Sequence, residues 1–275
     1  MDYQTYEPQS DLESIVNCYW TLKVPAADDH QRQRILPDGM IEMVFIFGDD
    51  IRRYLSDSES EDEFIIQPSA MVLGQIIDPF VVEPTGAVDS FAVRFYPYVF
   101  ANLISVPINQ LANKETPLDE LFDPELVKPL EQSMKDANNA EERIAVIESF
   151  LLERLNDAKV IDKIVQSTVD ALEESKGSAS INDLVQDDLS KRRQLERKFS
   201  KQVGMSPKQL GKVIRLQSAL KRMLNDDGES LTDIAYQSEY YDQAHFTKDF
   251  KEFTGLSPKE FADNANMELS SAFYK

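Results

Sequence analysis

An internal repeat limits what this chain can fold into more than any other feature. Phe199-Ser-Lys-Gln-Val-Gly204-Met-Ser206-Pro207-Lys208-Gln-Leu210 matches Phe250-Lys-Glu-Phe-Thr-Gly255-Leu-Ser257-Pro258-Lys259-Glu-Phe261 at an offset of 51. Leu195 pairs with Phe246, and Arg197 with Lys248, at the same offset. Further upstream, Ile181-x-x-Leu184-Val185 matches Leu231-x-x-Ile234-Ala235 at an offset of 50. One residue has been gained or lost in the intervening turn, where loops tolerate it. Each unit reads as a short helix, a turn and a longer helix.

In the second unit, Ser230 suits an N-cap, and Leu231, Ile234 and Ala235 form the inner face of the short helix. Ser238-Glu239 is the turn and Asp242 caps the next helix, whose buried stripe is Phe246, Phe250 and Phe253. In the first unit the stripe is Leu195 and Phe199. Gly204 and Gly255 stop their helices, Pro258 prevents continuation from before it, and Pro207 opens the segment that follows the first unit. Lys208 to Leu224 repeats Leu210, Val213 or Ile214, Gln217, Leu220 and Leu224 at helical spacing, a long amphipathic helix joining the units.

Charge obeys the same division. The 275-residue chain has 29 basic and 49 acidic side chains, net −20, which taken whole opposes a polyanionic partner. Residues 190–222, however, hold eleven basic side chains and one acidic one, while 223–262 hold three basic and nine acidic. A basic block on a helix-turn-helix has a use, because the second helix of that motif lies in the DNA major groove. With Leu195 and Phe199 inward, the helix from Ser190 to Val203 presents Arg192, Arg193, Glu196, Arg197 and Ser200 outward. Arginine suits guanine O6 and N7. Lys191, Lys198 and Lys201 flank that face at phosphate reach. In the second unit Gln243, Ala244, Thr247 and Lys248 face outward as base-contact candidates, with Lys251 for a phosphate. Most of the affinity is expected from the first unit.

Residues 1–100 read as short strands separated by turn residues, which suggests a sandwich or barrel. The clearest runs are Met40 to Phe47, Ala70–Leu73, Phe80–Val82 and Phe91–Tyr96. The stretch from Asp57 to Glu63 is a like-charge loop. Helical signals begin near Tyr98. Ala140 to Leu155 carries a stripe of Ile144, Ile147, Phe150 or Leu151, and Leu155, with Asn138 or Asn139 as N-cap. A second stripe runs from Ile161 to Leu172, and Ser175-Lys176-Gly177-Ser178 reads as a linker. The fold class expected is α+β: a β-rich, barrel-like N-terminal domain with helices, then an all-α double helix-turn-helix domain. The boundaries expected are 1–125, a helical connector at 126–177, the DNA-binding domain at 178–263 and a tail at 264–275.

The segment Ser178–Asp263 resembles the AraC/XylS-type transcription regulators. The carrying residues are Arg192-Arg193-Gln194-Leu195-Glu196-Arg197-Lys198-Phe199, Gly204-Met-Ser-Pro207-Lys, Ile214-Arg215-Leu216-x-x-Ala219, Ile234-Ala235, Tyr241-Asp242-Gln243-x-His245-Phe246 and Gly255-Leu-Ser-Pro258. Residues 1–177 resemble more loosely the N-terminal domain of one subgroup, through Leu36-Pro37-Asp38-Gly39-x-Ile41-Glu42-Met43-Val44-Phe45, Arg94-Phe95-x-Pro97 and Pro117-Leu118-x-x-Leu121. The resemblance implies two units joined by a long helix, double-stranded DNA as partner, and a barrel-like sensor or dimerisation domain for an unidentified small-molecule effector. Two positions depart from the family. Glu239 stands where the turn usually carries Gly, so it must adopt a left-handed backbone or the turn must differ. Lys191 replaces the Ser that usually opens the first recognition helix.

No cofactor, metal or catalytic residue is expected. His245 reads as a structural or phosphate-facing imidazole, His30 as solvated, and Cys18 as a small hydrophobe. Arg94 reads as the partner of a carboxylate of the fold or of an acidic ligand, with the former preferred. The sequence contains no run long and apolar enough for a membrane helix and no secretory leader pattern, so a soluble cytoplasmic protein is expected. A homodimer and contact with RNA polymerase complete the expected partners. The competing reading is a protein-interaction module that keeps the fold with little or no DNA binding.

Overall fold

The computed structural model describes residues 1–27, 32–55, 63–155, 162–225 and 228–263. His30, most of the acidic loop (56–62), Ile161 and the tail 264–275 lie outside the described residues. The strands are β1 (Asp2–Tyr6), β2 (Val16–Val24), β3 (Gln33–Ile35), β4 (Ile41–Ile46), β5 (Ile51–Tyr54), β6 (Phe64–Ile66), β7 (Ala70–Leu73), β8 (Phe80–Pro84), β9 (Val88–Phe95) and β10 (Glu115–Pro117). They pair antiparallel into two sheets, ordered β1-β2-β9-β4-β7-β10 and β3-β8-β5-β6.

The α+β class and the β-rich N-terminal part followed by helices are as expected, and the β-rich part consists of two antiparallel sheets that do not close into a barrel. A barrel has one inside, but the larger sheet here is buried on both faces. All six residues of β4 are buried, with alternating destinations. Ile41, Met43 and Phe45 join the main core under the helices. Val44 and Ile46 turn towards the smaller sheet with Trp20, Leu22, Met71 and Val88. Side chains alternate across a strand, so one apolar run serves two cores.

The helices are α1 (Leu118–Leu121), α2 (Pro124–Asp136), α3 (Ala140–Leu155), α4 (Lys163–Glu174), α5 (Ile181–Leu184), α6 (Leu189–Val203), α7 (Pro207–Asn225), α8 (Leu231–Gln237), α9 (Gln243–Thr254) and α10 (Pro258–Ala262). Helix α3 has the bounds that its periodicity predicts. Asn139 Oδ1 accepts from the Glu142 amide at 2.8 Å, and the Glu142 carboxylate accepts from the Asn138 amide at 2.8 Å. Helix α4 buries Val165, Thr168, Val169 and Leu172.

The stretch read as a linker is packed against its neighbour. A Cβ on Gly177 would lie 2.1 Å from the Gly211 carbonyl of α7, so only glycine allows this approach. Arg215 Nη1 donates to the Gly177 carbonyl at 2.5 Å. One continuous core joins Phe95 and Ile108 to Leu195, Leu216 and Phe250.

Candidate nucleic-acid interface and the cavity behind it

The repeat is realised as two helix-turn-helix units, α5–α6 and α8–α9, joined by α7. Ser230 caps α8 by accepting from the Asp233 amide, and Asp242 caps α9 by accepting from the His245 amide at 2.7 Å. Glu239 sits at φ 60, the left-handed backbone that its position requires. Gly204 and Gly255 end α6 and α9 at φ 92 and φ 76. Helix α6 opens on a cap that sequence reasoning missed. Asp188 accepts from the Ser190 and Lys191 amides at 2.9 and 3.1 Å, so α6 starts before the family's usual serine position. Those amide bonds hold the Asp188 carboxyl below the ordinary range. The signal was present, since Asp followed by a helical stripe is an N-cap pattern.

Burial of Leu195, Phe199 and Val203 fixes the rotation of α6. Each such side chain contributes about 1.5–3 kcal/mol on burial, enough to hold the opposite face to solvent. Arg193, Glu196, Arg197, Lys191 and Lys201 are exposed there, and Arg192 and Lys198 are half-buried. Arg192 is engaged on its own surface: Nη1 donates to Asn182 Oδ1 of α5 at 2.9 Å, and Nε to Glu196 Oε1 at 3.2 Å. Lys198 is held more firmly, 2.7 Å from Asp162 Oδ2, the residue that caps α4. That pair ties one flank of the basic face to the helices before the linker. Arg193 and Arg197 make no hydrogen bond or ion pair among the described residues.

On α9, Phe246, Phe250 and Phe253 are buried as their spacing predicts. Gln243, Ala244, Thr247, Lys248 and Lys251 line one shallow surface depression together with Glu252. These positions correspond to the α6 face at the offset of 51: Gln243 to Arg192, Ala244 to Arg193, Thr247 to Glu196, Lys248 to Arg197. Beneath them lies a residue that the sequence reading did not single out. Asp249 is 1% exposed, 3.1 Å from Lys212 Nζ, 3.4 Å from His245 Nε2 and 3.7 Å from Arg215 Nη2. It joins α9 to α7 and gives His245 a structural partner. Its spacing from Phe246 and Phe253 already placed it on the buried face.

The second feature lies between the sheets. The apolar residues of the larger sheet's inner face and the Ile76, Phe80 and Val82 cluster near the smaller sheet do not merge into one core. A cavity of about 400 Å³ separates them. Ile214 and Gln217 of α7 and Glu173 at the end of α4 complete its wall. At one end Arg94 Nε donates to Glu42 Oε1 at 2.7 Å, and Nη2 lies 3.3 Å from Asp38 Oδ2. Glu42 also accepts from Trp20 Nε1 at 3.0 Å. Arg94 thus pairs with carboxylates of the fold, as expected. Register explains the pair, because Glu42 and Arg94 lie directly opposite on β4 and β9. Burial pushes the Asp38 carboxyl up to about 6 against the opposing pull of Arg94. Burial pulls the Arg94 guanidinium down, but the two carboxylates outweigh it and raise it. Cys18, opposite Arg94 on β2, is a half-buried free thiol whose pKa burial raises. Among the described residues no group of three His, Cys, Asp or Glu side chains could hold a metal ion, and no helix is long and apolar enough to cross a membrane.

The loop of Pro37, Asp38 and Gly39 links cavity and DNA-binding part. Gln217 Nε2 of α7 donates to the Pro37 carbonyl. Gln75 donates to the Gly39 carbonyl at 2.8 Å. Asp38, between those two residues, lines the cavity.

Two helix-turn-helix units with outward basic or polar faces define a DNA-binding protein. Residues 190–264 match a family model described as a helix-turn-helix domain, and residues 4–117 match one described as a domain of unknown function, DUF6597. The helix-turn-helix match runs from α6 through the connecting α7 to the second unit, α8–α9. No curated protein sequence matches it. Among solved structures, ToxT from Vibrio cholerae is 13% identical with a TM-score of 0.49, over 96% of this chain and 98% of that one. ToxT from Vibrio cholerae O395 bound to (E)-4-(8-methylnaphthalen-1-yl)but-3-enoic acid is 15% identical with a TM-score of 0.48, over 96% and 99%. ToxT from Vibrio cholerae strain SCE256 bound to an unsaturated fatty acid is 14% identical with a TM-score of 0.42, over 88% and 93%.

Proposed function

We propose that α6 and α9 enter successive major grooves on one side of the DNA, with α7 as the rigid spacer and α6 supplying most of the affinity. The observation carrying this is the exposed α6 face, where Arg193 and Arg197 are open to solvent opposite the buried Leu195, Phe199 and Val203. Arg193, Arg197 and Glu196 would meet base edges, with Arg192 joining them after releasing Asn182. Lys191 and Lys201 would meet phosphates, and Lys198 would do so once freed from Asp162. Gln243, Ala244, Thr247 and Lys248 would read the second groove, with Lys251 on its backbone.

The cavity between the sheets is the effector site in this reading. An occupant there would touch Gln217 and Ile214 of α7 directly and so favour one arrangement of the two parts. The protein would act in the cytoplasm. The acidic N-terminal part repels DNA, so a homodimer would raise the effective concentration of α6 at paired half-sites. Contact with RNA polymerase would come through the acidic second unit. The test is salt dependence of binding to DNA fragments selected by the protein. Several phosphate contacts require a steep linear fall of log affinity with log salt. A flat dependence would contradict the placement of the basic face.

A further inference from the structure

The cavity's charge inventory goes a step beyond this reading and rests on the cavity being an effector site. Its charged lining residues are Asp38, Glu42, Glu173 and Arg94, three carboxylates and one guanidinium, and no lysine. The rest of the wall is mainly aliphatic and aromatic, with Trp20, Val44 and Phe80 among the lining residues. We propose that this cavity takes an amphipathic amine: an apolar body between the two sheets and one cationic head against Asp38 and Glu42, with Glu173 at the rim.

Charge compensation favours a cationic head. Arg94 shares its donors between Glu42 at 2.7 Å and Asp38 at 3.3 Å, so this half-buried cluster, with both carboxylates ionised, carries one more negative than positive charge. An ammonium group completes it. A carboxylate ligand adds a second uncompensated negative charge, or must displace Glu42 or Asp38 from Arg94 and leave that carboxylate without its counter-charge, with the neutral Trp20 Nε1–H or Met40 amide in its place. Breaking a buried ion pair in this way is strongly unfavourable. The apolar walls add affinity without sign preference, so the head group decides. The volume of about 400 Å³ suits a small molecule of this kind. The head would rest beside the Pro37 carbonyl that holds Gln217, which places the charged contact next to the joint with α7.

Trp20 lines the cavity and is the one tryptophan in the chain, so its emission reports on occupancy. The experiment titrates the full-length protein with octylamine, octanol and octanoate. Octylamine is expected to shift Trp20 emission saturably, with a Kd at least tenfold below that of octanoate and with octanol between them. Asp38→Asn and Glu173→Gln are each expected to weaken octylamine at least threefold and leave octanol unchanged. Glu173 is at the rim, so Glu173→Gln keeps the test alive if Asp38→Asn does not fold. Octanoate binding as tightly as octylamine, or an octylamine preference that survives both substitutions, would overturn the head-group assignment while leaving the effector site standing. If none of the three probes moves Trp20 emission, the effector-site reading falls with it.

Discussion

The two helix-turn-helix units share one template but differentiate on opposite sides of their second helix. In the first, the difference lies on the surface: residues 190–222 carry a net charge of +10, and Arg193 and Arg197 stand free above an ordinary Leu195–Phe199–Val203 stripe. In the second it lies inside. Tyr240, Phe246, Phe250 and Phe261 form an aromatic chain with centroid spacings of 5.1, 5.4 and 5.2 Å, and Asp249 is buried beside them. The short helices differ in the same sense. Leu184 of α5 remains 40% exposed, whereas its counterpart Ile234 is 4% exposed. A repeat constrains backbone and stripe, and leaves charge and core density free to diverge. The better-packed unit thus reads as a fixed platform, and it is the basic one to which the proposed function assigns most of the DNA affinity.

The largest expected effect breaks the platform. Asp249→Ala leaves Lys212 and Arg215 facing a site without its carboxylate, and we predict a loss of about 3 kcal/mol in unfolding free energy. Urea denaturation would measure it. A change below ~1 kcal/mol would mean that the aromatic chain alone holds α9 to α7. Next comes the contrast between equivalent positions on the two faces. Arg197→Ala is expected to cost about 1–3 kcal/mol in specific DNA affinity by titration at fixed salt, and Lys248→Ala clearly less. Equal losses would erase the asymmetry. A smaller gain is expected from Glu239→Gly. A side-chain-bearing residue in the left-handed region costs roughly 1–2 kcal/mol, and glycine gives back part of that in chain entropy. The melting temperature should rise by a few degrees, as for a gain of roughly 1 kcal/mol. The smallest effect is Asp162→Asn, which keeps a side chain able to cap α4 and releases Lys198. A partly exposed pair contributes at most about 1 kcal/mol, so DNA affinity should rise by no more than a few fold.

The parts legible in the sequence are those with local causes. The caps Ser230, Asp242 and Asn139, the stops Gly204 and Gly255, and the bounds of α3 all depend on residues within a turn of one another. The left-handed backbone at Glu239 was one of two alternatives raised by the family resemblance, in which this turn usually carries Gly. Other features needed partners distant in sequence. Strands β1 and β10, each paired on one side only, carry too few residues for a periodic signal. The Glu42–Arg94 pair is 52 residues apart and became visible only through strand register. The cavity arises because one apolar run, β4, faces two ways, and a hydrophobicity pattern does not say how far the second sheet stands off. Asp249 was hidden by composition: one more carboxylate in an acidic stretch looks solvated until the helix face is counted out. Of the α6 face, the sequence located the exposed arginines, whereas the attachment of Lys198 to Asp162 required the packing of α4 against α6.

The most direct test of the central claim, that the arginine face of α6 reads base edges, is methylation protection of guanine N7 on DNA fragments selected by the protein. The expected result is protected guanines in two patches about one helical turn apart on one side of the duplex, with one patch lost in the Arg193→Ala, Arg197→Ala double variant and the other retained. Protection that is identical in the wild type and the double variant would contradict it.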